Sequence, residues 1–156
     1  MSKNKRVIGA EEVVYDDIKF RSRLELYTYK KLISNNFDFE YEGMRVDLIP
    51  SFELNSTEVY YPVESGKQKG VMKQRFKVDA KTYKVDFVVK KDNYHVFIEC
   101  KGYANDDYPT KRKLFLKWLE ATYKPNNEIT PIFWEPHNQK QVNDCIEFIK
   151  NLKNQL

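Results

Sequence analysis

The sequence predicts one α/β or mixed α+β domain, a central mixed sheet flanked by helices, and three observations carry this. Residues 83–103 hold two β-branched and aromatic runs around a polar Lys-Lys-Asp-Asn turn, a hairpin pattern. Three stretches repeat apolar residues at helical spacing. Their order is helix, several antiparallel strands, helix, strand, helix. A chain of 156 residues suits a single domain with its own core, over 1–156.

In chain order, residues 1–15 read as a flexible basic arm, with Lys3–Arg6 its charged part. A helix is predicted from Arg23 to Ile33. Ser22 is its N-cap and Glu25 completes a Ser-x-x-Glu capping box. On the helical wheel Ser22, Glu25, Leu26, Tyr29, Leu32 and Ile33 share one arc, so Glu25 lies on the inward face. A carboxylate there needs a partner, because burying an unpaired charge is costly. A cap and a metal ion are compatible answers.

Asn35-Asn36 ends this helix. Phe37, Phe39 and Tyr41 alternate with acids as a half-buried strand. Beyond Gly43, Met44, Val46 and Leu48 give a second strand, or the continuation of one bent strand. In Ser51–Gln74, residues 58–62 read as a short strand and residues 65–70 as an exposed loop. Phe76–Asp79 extends the sheet, with a turn at Ala80–Thr82. After the hairpin, residues 105–109 are a loop and Thr110 caps a helix running to Tyr123, with Leu114, Phe115, Trp118, Leu119 and Thr122 as its stripe. Residues 125–128 form a turn, Ile129–Trp134 a buried strand, and Gln139–Leu152 a helix with Val142, Cys145, Ile146, Ile149 and Leu152 inward.

The hairpin register has chemical consequences. If Asp92-Asn93 is the two-residue turn, Lys91 pairs with Tyr94 and Asp86 falls opposite Glu99. Opposed Cβ atoms lie ~5 Å apart, and alternation puts Lys101 on the face of Glu99. Val85, Phe87, Val89, Val96, Ile98 and Cys100 take the other face. A cross-strand ion pair on a solvated face would explain the triad. Two opposed carboxylates nevertheless repel unless a cation joins them.

Composition narrows the classes. Charged residues make up 32% of the chain and 41% is hydrophobic, a balance suited to a folded, soluble protein. No apolar run approaches the ~20 residues of a membrane span, and no h-region follows the basic N-terminus. Cys100 and Cys145 lack zinc-ligand spacing and read as reduced intracellular thiols. The net charge of +4, from 27 basic and 23 acidic residues, permits a nucleic-acid partner. Basic residues cluster at residues 3–6, 67–84 and 111–117. Lys111, Arg112 and Lys113 crowd a helix N-terminus, either as a phosphate site or as a tolerated charge run.

Phosphodiester hydrolysis requires shielded charge, a nucleophile and a stabilised leaving oxygen, and Mg²⁺ can serve all three. Asp86 and Glu99 would supply carboxylate oxygens, and the Cys100 backbone carbonyl a third donor. Lys101 would hold or deprotonate the attacking water. Glu25 would complete the cage directly, through water, or at a second metal.

The residues Val85-Asp86 and Glu99-Cys100-Lys101 resemble the PD-(D/E)xK nuclease motif. Residues 20–25 (Phe-Arg-Ser-Arg-Leu-Glu), 39–42 (Phe-Glu-Tyr-Glu) and 99–102 (Glu-Cys-Lys-Gly) resemble bacteriophage endonuclease I, a Holliday-junction resolvase. Residues 48–52 and 111–115 resemble related small phage nucleases. The resemblance spans about residues 18–119. It implies a restriction-endonuclease-like core, Mg²⁺ with Mn²⁺ as substitute, branched or four-way-junction DNA as substrate, and a homodimer that cuts two strands in the host cytoplasm. Glu25, Asp86, Glu99 and Lys101 would be the catalytic set, and Arg21, Arg23, Lys111, Arg112 and Lys113 the DNA contacts. Sequence-specific and transposase-associated nucleases of this core, and a non-catalytic DNA-binding module, are the alternatives. Val85 replaces the motif's proline, Ser51–Gln74 exceeds the resolvase equivalent, and a basic C-terminal extension is not evident.

Overall fold

The predicted hairpin is the centre of a four-stranded mixed sheet. The computed structural model describes residues 12–102, 105–123 and 128–153. Strand β10 (Phe87–Lys91) pairs antiparallel with β11 (Tyr94–Ile98), Lys91 opposite Tyr94 and Phe87 opposite Ile98. Asp92 takes φ 51°, the left-handed conformation a tight hairpin turn requires. Strand β3 (Asp38–Tyr41) lies antiparallel on the far side of β10, and β12 (Thr130–Trp134) parallel on the far side of β11. The sheet order is therefore β12-β11-β10-β3, an α+β arrangement. Strand β12 is an edge strand and half-buried rather than buried as predicted. An edge position tolerates Pro131, which has no N–H to give.

Helices cover both faces. Phe87, Val89, Val96, Ile98 and Cys100, five of the six residues predicted for this face, pack against Leu32 of α1 (Arg23–Ser34) and Val142, Cys145, Ile146 and Ile149 of α3 (Gln139–Asn151); the sixth, Val85, is buried outside that cluster. On the opposite face the Phe97 ring lies 5.7 Å from Phe115 of α2 (Tyr108–Tyr123). Both cysteines are buried and free, with no disulfide between them.

Several boundaries differ from expectation. The N-terminal arm ends before residue 15: β1 (Val13–Tyr15) and β2 (Ile18–Phe20) form a hairpin, turned by Asp16 and Asp17 at φ 53° and 58°. Lys3–Arg6 lies outside the described residues, as does most of the 125–128 turn. In α1 the inward face centres on Glu25, Thr28 and Leu32, while Ile33 is exposed. Ile33 stands a full ~100° beyond Leu32 around the helix, which is enough to turn it outward. Helix α2 starts at Tyr108, where the Asn105 side chain accepts the Tyr108 amide, so Thr110 is inside the helix and not its cap. Pro109 fits the first turn because its missing N–H would have had no helical acceptor.

The chain forms two compact units. One takes the chain up to Arg45 together with Lys84 onward; the other is Val46–Tyr83. The second unit consists of two-stranded pairings: β4 (Arg45–Ile49) with β9 (Lys81–Lys84), β5 (Phe52–Glu53) with β8 (Lys77–Val78), and β6 (Val59–Pro62) with β7 (Met72–Arg75). The predicted turn at Ala80–Thr82 is corrected, since Lys81 and Thr82 belong to β9. The run from Tyr83 to Val89 is likewise two strands, broken at Val85-Asp86.

Candidate metal centre

The break at Asp86 builds the site. One residue beyond the rung Tyr41–Phe87–Ile98–Trp134, each strand of the sheet places an acid: Glu42, Asp86, Glu99 and Glu135. The Glu42 amide donates to the Asp86 carbonyl at 2.8 Å, and the Glu99 amide to the Trp134 carbonyl at 3.0 Å. Between Asp86 and Glu99 side chains take over from the backbone. The Asp86 carboxylate accepts the Cys100 amide at 2.8 Å, and Glu99 accepts the Asp86 amide at 3.3 Å.

Helix α1 adds Glu25. The Ser22 hydroxyl accepts the Glu25 amide at 3.1 Å and donates back to the Glu25 carboxylate at 3.0 Å, a cap with its reciprocal bond on the hydroxyl. Glu25 also accepts the Arg21 amide and the Tyr41 hydroxyl. Burial and this bond raise the Tyr41 phenol above its ordinary value, which keeps it a donor. Cap and site are thus one structure. Ser22→Ala is expected to cost about 1 kcal/mol, read as a lower urea midpoint at unchanged m-value.

Carboxylate oxygens of Glu25, Glu42 and Asp86 lie within 4.8 Å of one another. Glu25 and Asp86 are 5% and 2% exposed, and Glu99 is 3%. Burial raises Asp86 well above the usual carboxylate range, and Glu99 and Glu25 raise it further, against Arg21 and the Cys100 amide. Such a cluster requires positive charge. In this structure Arg21 supplies it, with Nη2 2.7 Å from Glu42, 2.9 Å from Asp86, and Nε 4.0 Å from Glu25. Glu99 faces a different cation: Lys101 Nζ lies 2.7 Å from its carboxylate and 4.2 Å from the centre of the Tyr108 ring.

The donor set fits a hard divalent cation such as Mg²⁺ or Mn²⁺. It offers three convergent carboxylates, and no soft ligand joins them. The Cys100 side chain points into the core, 3.3 Å from Thr28 Oγ1, and burial pushes its thiol up, so its sulfur stays protonated.

The predicted set is therefore brought together in two parts: Glu25 with Asp86, and Glu99 with Lys101 beside them. Glu42, to which sequence reading assigned no role, joins the first part; so does Arg21, whose guanidinium engages Glu42 and Asp86. Arg23 is exposed. On α2, Lys111 pairs with Asp107 at 3.0 Å and Arg112 with Glu135 at 3.1 Å, while Lys113 is exposed. Burial raises the Glu135 carboxyl, but hydrogen bonds from Tyr108, His137 and Arg112 outweigh this and hold it below its ordinary value.

Fold and site together define an α+β protein with a carboxylate centre at one end of a mixed sheet. Residues 4–128 match the family described as "Protein of unknown function (DUF1064)", and the chain belongs to that family. The matched region holds Glu25, Glu42, Asp86, Glu99 and Lys101. No curated protein and no solved structure matches the chain.

Proposed function

We propose that this chain is a divalent-metal-dependent endonuclease acting on branched DNA, of the phage junction-resolvase kind. The observation that carries the reading is the meeting of Glu25, from a helix, with Asp86, from the strand break, beside a Glu99–Lys101 pair. That is the constellation expected of a PD-(D/E)xK centre. Glu25, Glu42 and Asp86 would hold the ion, with Glu99 and the Cys100 carbonyl as further donors. Bound there, Mg²⁺ supplies neutralisation of the phosphate and polarisation of its oxygens.

The chain's own groups do the rest. The Lys101 ammonium, fixed by Glu99 and the Tyr108 ring, orients the attacking water and offsets charge developing on the phosphate. With an ion held by these carboxylates, Arg21 would be free to meet a neighbouring phosphate. Water attacks phosphorus and leaves a 5′-phosphate and a 3′-hydroxyl. Two such centres in a homodimer would cut a junction symmetrically. Among the described residues no helix is long and apolar enough to cross a membrane. The occupation of the cluster by Arg21 favours a second reading, a non-catalytic DNA-binding module on the same fold.

Cleavage of a four-way junction and nicking of plasmid DNA, with Mg²⁺, Mn²⁺ or EDTA, separate these. Wild type is expected to cut the junction with either ion and not in EDTA. Glu99→Gln and Lys101→Ala are expected to lose cleavage, with junction binding kept by Lys101→Ala. Absence of cleavage by wild type would sink the nuclease reading, full activity in Glu99→Gln would sink this centre as its site, and cutting confined to one linear sequence would sink the junction preference.

A further inference from the structure

We infer that the ribbon β6–β7 is a DNA-gripping arm whose basic face contacts duplex phosphates. The inference rests on the DNA substrate proposed above and adds the surface that recognises it. Among the described residues the ribbon has two strands and no third. All of β7 is exposed, and so is all of β6 except Val59. A two-stranded ribbon open on both faces is marginal by itself, and this one spends exposed surface on large side chains. Tyr60, Tyr61 and Met72 are each more than half exposed, as is Phe76 just after it.

Charge identifies the occupant. Residues 67–77 contain Lys67, Lys69, Lys73, Arg75 and Lys77 and no acid. All five are exposed, and none makes an ion pair among the described residues. Several cations elsewhere are matched: Lys84 by Glu42, Lys90 by Glu40, Lys111 by Asp107, Arg112 by Glu135. The register sorts the ribbon into two faces. Lys73 lies opposite Tyr61 and Arg75 opposite Val59, whereas Gln74 faces Tyr60 and Met72 faces Pro62. One face therefore carries two unmatched cations and the Tyr61 side chain opposite Lys73, and the other is uncharged. A two-stranded ribbon is of a size that the major groove of B-DNA admits. Unpaired lysine and arginine beside tyrosine suit phosphate and exposed base together.

The test is DNA binding by the full chain in EDTA, where cleavage plays no part. A labelled duplex and a four-way junction are titrated at several salt concentrations. Removing one cation that neutralises a phosphate lowers the slope of log K against log salt by about 0.9. Lys73→Gln/Arg75→Gln is expected to weaken binding to both DNAs and reduce the slope by about 1.8, while Lys111→Gln/Arg112→Gln changes it less. An unaltered slope and affinity in the ribbon double variant overturn the proposal. So does a change of oligomeric state in that variant at unchanged DNA affinity, which would assign the ribbon to a second copy of the chain. Circular dichroism checks that the variant is folded. Wild type that binds DNA in this way but never cuts it would refute the nuclease reading and leave the arm standing. A ribbon variant that binds normally, from a protein that cuts, does the reverse.

Discussion

Asp86→Asn is expected to abolish divalent-cation-dependent DNA cleavage while making the metal-free protein more heat-stable. Even outer-shell partners of a metal cost ~10–100-fold in affinity or activity when removed, so loss of this central carboxylate should cost at least about 100-fold. The stability gain comes from its surroundings. Asp86 is buried and pushed up by that burial and by Glu99 and Glu25. A carboxyl raised in the folded state stabilises most below its unfolded value. That contribution is lost as pH climbs through the folded value. In EDTA the wild type should therefore lose stability as pH rises above ~4, and the asparagine variant, which has no charge there, should lose less. The amide keeps an oxygen for the Cys100 N–H, and Arg21 keeps Glu42 at 2.7 Å. A gain of at least ~2 °C at pH 8, the shift produced by roughly 1 kcal/mol in a chain of this size, should appear by calorimetry and shrink toward pH 5. Equal melting temperatures across that range would contradict the account of the cluster.

Phe87→Ala should have the largest effect on stability. The side chain is fully buried, with its ring 5.0 Å from Tyr41 and 6.1 Å from Phe39. Truncation of such a residue costs about 3–5 kcal/mol, a large share of the ~5–15 kcal/mol that holds a domain together. Because Phe87 is the rung before Asp86, the variant should also lose cation binding at temperatures where it still retains helical circular dichroism. A urea midpoint within experimental error of wild type would show that the packing around Phe87 relaxes fully.

How much of this was legible depends on sequence distance. The hairpin register followed from a local turn, and Lys91 does face Tyr94. The Ser22 cap, the inward Glu25 and the apolar stripe of α3 are also local patterns, and each appears as read. Glu42 was not legible, because its place in the row depends on β3 lying beside β10, and no local periodicity encodes that pairing. The alternation of Phe39 and Tyr41 set the face, and Glu42 at φ 48° departs from it at the strand's end. The break between β9 and β10 was hidden for a similar reason. Residues 83–87 alternate without interruption, and only the Asp86 carboxylate taking the Cys100 amide shows where backbone pairing stops. On α2 the position of Pro109 misled, since proline marks a loop in one context and a helix start in another.

The Val46–Tyr83 insertion leaves the chain just after Glu42 and returns just before Asp86. The hydrogen bond between those two residues closes its stem. The chemistry is thereby insulated from the length of what is inserted. Doubling such an excursion adds only about 0.6 kcal/mol of closure entropy, and the two acids at its root need not move. A protein built this way can exchange the inserted segment, by evolution or by grafting, while its clustered carboxylates stay in register.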